Sequence, residues 1–193
     1  LRKRFSAESL RYTVDPKIDG LAISLTYQNG VLVRAVTRGN GTEGDVVTKN
    51  ARTIHSLPSE LGTDHPPKQI ELRGEIYLTN EEFHRINGKR EKDGENLYAN
   101  PRNLAAGTIK LLDPSLVAER RLELVVYGLG FCDPDFLETQ TALQEHLLDW
   151  GMPVVERYWT ADGIDEVWNC IEELNRMRES FSYPTDGAGV KLD

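Results

Sequence analysis

The chain has only two cysteines in 193 residues, and it has no long apolar run. Cys132 and Cys170 are too few for a disulfide framework and too far apart for the paired spacing of a zinc site. No apolar segment approaches the ~20 residues that cross a bilayer, and no secretory signal peptide precedes the first predicted strand. We therefore expect a cytoplasmic protein with no membrane partner and no zinc site within these residues.

Positive charge is also scarce. The 23 Lys and Arg residues are outnumbered by 31 Asp and Glu residues, which gives a formal net charge of −8 at pH 7. Proteins that bind duplex nucleic acid usually present a Lys/Arg surface that displaces counterions from phosphates. The small cluster formed by Arg2, Lys3, Arg4 and Arg11 is equally well explained as a solvated terminal arm. If the protein acts on DNA, other segments must make most of the contacts.

The residues that are present predict one mixed globular domain. Hydrophobic content of 39% and charged content of 28% are ordinary for such a domain. Alternating apolar residues over 21–27 followed by Asn29-Gly30 predict a hairpin with a type I′ turn and a return strand over 31–38. Other patterns predict strands over 70–78 and 122–129, a capped helix from Thr79 toward Gly88, a polar loop over 91–96, and helices over 139–150 and 164–180. Mixed elements without regular βαβ alternation favour an α+β fold with largely antiparallel sheets.

The most informative segment is 17–20, Lys-Ile-Asp-Gly, at the entry to the hairpin. A lysine amine attacks phosphate only when it is deprotonated, which requires desolvation or a nearby cation. Asp19 can hold a metal ion or orient a sugar hydroxyl, and Gly20 lets the backbone approach a ligand. Taken alone, such a motif is more often a strand-edge turn with a solvated lysine.

Several further segments change that interpretation, because they occur in a fixed order along nearly the whole chain. They are 21–24 (Leu-Ala-Ile-Ser), 37–42 (Thr-Arg-Gly-Asn-Gly-Thr), 72–76 (Leu-Arg-Gly-Glu-Ile), 99–107 (Ala-Asn-Pro-Arg-Asn-Leu-Ala-Ala-Gly), 127–130 (Tyr-Gly-Leu-Gly), and 186–191 with its Asp-Gly and Val-Lys pairs. Together with the lysine motif they resemble the adenylation domain of NAD-dependent bacterial DNA ligases.

The resemblance implies the nucleotidyltransferase fold, in which two mainly antiparallel sheets are flanked by helices and hold the nucleotide in the groove between them. Residues 1–193 would form the core of this adenylation domain. The family's N-terminal subdomain for nicotinamide mononucleotide would be absent, as would its OB-fold, zinc module, helix-hairpin-helix region and BRCT domain. We expect a monomer that folds and binds adenosine nucleotides but seals nicks poorly by itself.

The resemblance also implies a reaction. Lys17 matches the nucleophile that takes AMP from NAD and releases nicotinamide mononucleotide; AMP then passes to the 5′-phosphate of nicked duplex DNA before sealing. Asp19, Arg102 and Asp186 match other residues of the catalytic step, and Arg178 matches an arginine that serves the phosphate or the DNA end. Magnesium is the expected metal, at a site that the sequence does not identify.

Nucleotide recognition carries over residue by residue. Tyr127 matches an aromatic residue that stacks on adenine, although an ordinary core tyrosine is the alternative. Lys191 matches a lysine that donates to a ring nitrogen of adenine. Glu75 matches a carboxylate on the ribose, and Arg38 an arginine beside the sugar and phosphate, although strand-end charges are usually solvated. Asp15 stands where the family usually has glutamate, so water is expected to bridge its shorter carboxylate to the nucleotide.

Three further departures from the family pattern, besides Asp15, leave alternatives open. Lys110 replaces a usual arginine and loses bidentate geometry, Asn40 replaces an aspartate, and Gly189 replaces a branched residue. Asn40 and Lys110 motivate the alternative of a catalytically weakened nucleotide-binding or scaffold module with the same fold. An ATP-dependent nucleotidyltransferase is the other alternative. NAD is favoured because Ala22 stands where ATP-dependent relatives usually have arginine, and because the Asn-Pro-Arg-Asn block is present.

Overall fold

The computed structural model describes residues 10–39 and 43–193. Within these residues the chain forms seven strands and six α-helices. In chain order they are β1 (Arg11–Ile18), β2 (Leu21–Gln28), β3 (Val31–Thr37), α1 (Thr48–Ala51), β4 (Gln69–Tyr77), α2 (Asn80–Lys92), α3 (Pro101–Thr108), α4 (Pro114–Glu119), β5 (Glu123–Asp133), α5 (Gln140–Asp149), β6 (Trp159–Asp162), α6 (Ile164–Met177) and β7 (Thr185–Leu192). A 3-10 turn, Arg178–Ser180, extends α6.

The described strands form two antiparallel sheets. The larger sheet has the order β3-β2-β4-β5, and the smaller sheet has the order β6-β1-β7. Ile18 of the smaller sheet and Val125 of the larger sheet belong to one apolar cluster, which joins the two sheets. This arrangement confirms the predicted α+β architecture of two mainly antiparallel sheets with helices around them.

The predicted hairpin is present between β2 and β3. Asn29 and Gly30 have φ values of 48° and 82°, the pair of positive values that a type I′ turn requires. Leu25 and Tyr27 alternate inward and are fully buried, and the Tyr27 hydroxyl donates to the Pro58 carbonyl at 2.8 Å. The alternation in the sequence therefore identified the face of β2 that packs into the main core.

The capped helix α2 begins as predicted but continues past Gly88. The Thr79 hydroxyl accepts from the Glu82 backbone N–H at 3.2 Å, which fixes the start. The expected end near Gly88, and the start of the polar loop at residue 91, were wrong, because a helical glycine costs only about 1 kcal/mol. The helix ends at Lys92, and Gly94 follows with φ of 70°, a left-handed conformation typical of residues just beyond a helix.

The two later helices bury most of the apolar positions that recur at helical spacing, and Ile171 of α6 is partly buried. Leu143 and Leu147 of α5 and Trp150 at its end belong to the main core, whereas Val167 and Leu174 of α6 pack against the smaller sheet. Within the described part of the chain, no helix combines the length and the apolar character needed to cross a membrane.

Candidate active site

A pocket of about 540 Å³ lies between the two sheets and is lined by residues of both. The smaller sheet contributes side chains from β1 and β7, and the larger sheet contributes side chains from β4 and β5. All six residues predicted to bind the nucleotide line this pocket, together with the predicted catalytic Arg102: they are Asp15, Lys17, Arg38, Glu75, Tyr127 and Lys191. The fold thus brings together residues from distant parts of the sequence.

Lys17 lies near the end of β1, where the pairing with β7 shifts register between residues 17 and 18. Its amine contacts both carboxylate oxygens of Asp186 on β7, at 2.6 and 2.7 Å. The lysine and aspartate side chains are 56% and 37% exposed. Exposed ion pairs stabilise a fold by only about 0–1 kcal/mol, so a substrate can displace this one at little cost.

The Asp19-Gly20 turn follows directly and packs against the larger sheet. A Cβ on Gly20 would lie 2.2 Å from the backbone oxygen of Ile76, so only glycine permits this approach. The Asp19 backbone N–H donates to the Pro184 carbonyl at 2.9 Å, and its carboxylate accepts from Arg102 Nη1 at 3.0 Å. The turn therefore places an acid–arginine pair beside Lys17.

Arg102 is positioned by the start of α3. The Asn100 side chain accepts from the Asn103 backbone N–H at 2.8 Å, and Pro101 is the first helical residue. This explains the Asn-Pro-Arg-Asn block locally, because asparagine is a strong N-cap and proline is pre-organised for the first helical position. The guanidinium at this helix start supplies positive charge suited to a phosphate.

Glu75 is an acidic residue of the pocket whose pKa is raised into the neutral range. Partial burial raises the pKa of Glu75 to about 7, although Arg102, Lys17 and the Gly20 backbone N–H oppose the shift. A carboxyl group that is partly protonated at neutral pH can both donate and accept hydrogen bonds. It is therefore suited to a hydroxyl group of a ligand.

The other end of the pocket is organised by Lys191. Its amine forms an ion pair with Asp15, donates to the Tyr127 carbonyl oxygen at 3.0 Å, and lies 5.3 Å from the centroid of the Tyr127 ring. Burial raises the pKa of Asp15, and Lys191 lowers it in opposition. The Asp15 side chain is only 8% exposed, and removing one partner of a buried pair typically costs about 3–5 kcal/mol. This pair is therefore a fixed part of the pocket, unlike the pair of Lys17 with Asp186.

Tyr127 is half-buried and lines the pocket. Burial raises the pKa of its hydroxyl, with a further contribution from Glu75. Its position at the pocket, outside the core clusters of the described residues, favours the predicted role over that of an ordinary core tyrosine.

Other predicted residues have different surroundings. Lys110 lines the pocket and pairs with Asp45 at 2.7 Å. Arg178 lies elsewhere: it lines a separate groove between α6 and β7, and its Nη2 donates to the Thr185 carbonyl at 2.5 Å. Asn40 lies outside the described residues, as do Gly41, Thr42 and the basic segment 2–4.

Three apolar residues of the pocket were not identified from the sequence. Ile18, Val125 and Val155 line it, and all three belong to the cluster that joins the sheets. Val155 lies in an irregular segment without periodicity. Ile18 and Val125 have the pattern of core residues, and no sequence signal distinguishes a core valine from one at the wall of a pocket.

Residues 1–193 match the family model described as the NAD-dependent DNA ligase adenylation domain. The chain belongs to this family. The ligase domain is 56% identical to DNA ligase 1 of Opitutus terrae, over 100% of this chain and 29% of that protein. It is 44% identical to a DNA ligase of Methylacidiphilum infernorum, over 100% of this chain and 28% of that protein. The chain thus spans less than a third of the length of these relatives.

Solved structures support the fold assignment of the ligase domain. It is similar to an archaeal ATP-dependent RNA ligase, with a TM-score of 0.54 and 16% identity over 94% of this chain and 39% of that one. It is also similar to mycobacterial DNA ligase D complexed with ATP and MES, with a TM-score of 0.52 and 16% identity over 94% of this chain and 48% of that one. At these identities the likeness shows the nucleotidyltransferase fold alone.

Proposed function

We propose that residues 1–193 form the adenylation domain of a ligase in which Lys17 becomes covalently bound to AMP. The observation that carries the proposal is the position of the Lys17 amine in the same pocket as Glu75, Tyr127 and Lys191. One cavity therefore offers a nucleophile, a site for a hydroxyl group and an aromatic wall with a cationic donor. These are the groups that transfer of an adenosine phosphate requires.

In the proposed step, Lys17 Nζ attacks the α-phosphorus of NAD, which is a substrate here and not a resident cofactor. An N–P bond forms, the P–O bond to nicotinamide mononucleotide breaks, and that oxygen leaves with the electron pair. The amine must lose a proton before attack, and a carboxylate in contact with an amine stabilises its charged form. We therefore propose that the substrate first displaces the pair of Lys17 with Asp186 and that the proton passes to water, to which the Lys17 side chain is exposed. Arg38 and Arg102 line the pocket and offset the negative charge of the phosphates.

The adenosine half is proposed to occupy the end of the pocket at Tyr127. The aromatic ring would stack on the base, and Lys191, a donor-only group, would meet an acceptor nitrogen of the base. Glu75 would bond a ribose hydroxyl, and Asp15 would reach the nucleotide only through water, since its carboxylate already pairs with Lys191.

Magnesium is proposed to enter with the substrate phosphates. In residues 10–39 and 43–193, no group of three or more His, Cys, Asp or Glu side chains could hold a metal. This fits Mg²⁺, which keeps several waters and is usually bound through one or two carboxylates together with phosphates. Asp186 pairs with Lys17 and Asp19 pairs with Arg102, so these two carboxylates are proposed to contribute to such a site. Bound magnesium would offset charge on the α-phosphate.

The later steps are also proposals. AMP would pass from Lys17 to the 5′-phosphate of nicked duplex DNA, and a 3′-hydroxyl would then displace it. Because the net charge of −8 disfavours contact with phosphates, we propose that most contacts with the duplex are made by parts of a ligase outside these residues. We propose that the domain acts as a monomer in the cytoplasm.

Intact mass spectrometry after incubation with NAD and magnesium tests the first step. We expect the added mass of one AMP on the native chain and none on Lys17→Ala. A chimera should also be tested, in which residues 1–193 replace the matching segment of DNA ligase 1 of Opitutus terrae. The chimera is needed because that segment is less than a third of the ligase. An adduct on Lys17→Ala, or none on the chimera, would refute the proposed function.

A further inference from the structure

Gly189 lies on β7 directly opposite Asp15 on β1. A Cβ at position 189 would lie 2.2 Å from Asp15 Oδ1 and 3.4 Å from Asp15 Cγ. A carbon and an oxygen that are not bonded do not approach within 3.0 Å, so even alanine at 189 is incompatible with the present position of the carboxylate. The missing side chain of Gly189 and the buried carboxylate of Asp15 therefore occupy one space between the strands.

The obstacle at position 189 is the end of a side chain and not the backbone. The backbone oxygen of Asp15 is 3.8 Å from the same Cβ position, an ordinary contact distance. Gly20 differs, because a Cβ there would meet the backbone oxygen of Ile76. A methyl group at 189 is therefore expected to displace the Asp15 carboxylate by rotation of its side chain, while the two strands stay paired.

The displaced carboxylate would no longer hold Lys191. In the present arrangement, the Lys191 amine is fixed between Asp15 and the carbonyl oxygen of Tyr127, beside the Tyr127 ring. A lysine side chain has many rotamers, and it stays in one place only when its amine is held by partners. The position of Lys191 thus depends on Asp15, and the position of Asp15 depends on the absence of a side chain at 189.

We propose that Gly189 is a positioning residue for recognition of the adenosine base. By leaving space for the Asp15 carboxylate, it keeps the Lys191 amine at the base end of the pocket. The inference rests on the proposed function, since it assumes that an adenosine phosphate occupies this pocket. It also connects two departures from the family pattern, at positions 15 and 189, which face each other across the β1–β7 pair.

Calorimetric titration with AMP tests the inference on four proteins: the native chain, Gly189→Ala, Asp15→Ala and the double variant. We expect Gly189→Ala to weaken AMP binding by about tenfold or more, as for loss of one charge-assisted hydrogen bond. Asp15→Ala also weakens binding, but it removes the obstacle. In that background Gly189→Ala should cause no further loss, an outcome that a general effect of alanine on β7 would not produce.

Gly88→Ala is the matched control, because a Cβ there meets no atom within 4 Å and the site lies on α2, away from the pocket. Native AMP affinity in Gly189→Ala would overturn the inference and leave the proposed function intact. Equal losses from Gly189→Ala in both backgrounds would also overturn it. If the native chain itself fails to bind AMP, the proposed function fails and the inference fails with it. If Gly189→Ala does not fold, the double variant, which lacks the clash, supplies the comparison with Asp15→Ala.

Discussion

Two of the three lysines that line the pocket, Lys17 and Lys191, are held by aspartates in opposite ways. Lys17 pairs with Asp186 near the surface, whereas Lys191 pairs with the nearly buried Asp15. An exposed pair is easily displaced, and a buried one resists separation because either group alone would be poorly solvated. Lys17 is therefore easily released from its partner, and Lys191 is held in place in the pocket wall.

Glu75 gives a prediction at the same scale. Its pKa is raised from an ordinary value of 4.5 to about 7, mainly by burial. Below about pH 4.5 the group is neutral in both the folded and the unfolded protein, so Glu75→Gln and the native chain should have similar melting temperatures. As the pH rises toward 7, Glu75 loses its proton more readily in the unfolded protein than in the folded one. The native chain therefore loses stability relative to Glu75→Gln.

Thermal melts of both proteins between pH 4 and 8 measure this difference. We expect the advantage of Glu75→Gln to appear between about pH 4.5 and 7 and to level off above that range. A difference that stays constant with pH would show that burial does not raise the pKa of Glu75.

Among the elements, the short helix α3 has the clearest link between local structure and the site. It carries Arg102, and its first turn depends on the cap formed by Asn100. Asn100→Ala should lower the free energy of unfolding by about 1 kcal/mol and reduce AMP transfer to Lys17, since Arg102 loses its fixed support. Asn100→Asp keeps a capping oxygen and should behave like the native chain.

Urea denaturation and the intact-mass assay measure the two effects of these variants. Equal stability of Asn100→Ala and Asn100→Asp would contradict the capping role. Reduced stability with unchanged AMP transfer would separate the helix from the chemistry.

The elements also show what a sequence can and cannot predict. The hairpin, α2, α5 and α6 were predicted because they have strong periodicity or a local cap signal. The short helices α1, α3 and α4 were not, since four to eight residues are too few for a helical period to appear. The strand β6 was missed because its four residues are too few to show a clear alternation of apolar and polar side chains.

The candidate site could also be predicted only in part from the sequence. The family resemblance named the charged residues of the pocket and Tyr127 but not its apolar wall at Ile18, Val125 and Val155. The contact of Asp15 with position 189 and the pairing of Lys17 with Asp186 could not be predicted, because both depend on the register between β1 and β7. Arg178 also matched a family arginine, but it donates to Thr185 in another groove.

At the scale of the whole molecule, the formal net charge is −8 at pH 7, and this excess of negative charge opposes binding to a duplex. With a net charge of −8, we expect this chain to bind a nicked duplex with a dissociation constant weaker than about 10 μM at physiological salt. The Opitutus terrae chimera, which includes the rest of a ligase, should bind more tightly. Fluorescence anisotropy with a labelled nicked duplex measures both, and equal affinity would contradict the expectation.

The pairing of β1 with β7 has a consequence for how the protein becomes active during synthesis. Lys17 and Asp186 are separated by 169 positions, so the pocket closes only when nearly the whole chain is available. Contacts of such long range form late, because the entropy of loop closure opposes them until other structure has shortened the path. A ribosome would therefore release almost all of these residues before the pocket between the sheets existed. An incomplete translation product that ends before β7 would lack both Asp186 and Lys191 and would have no complete pocket.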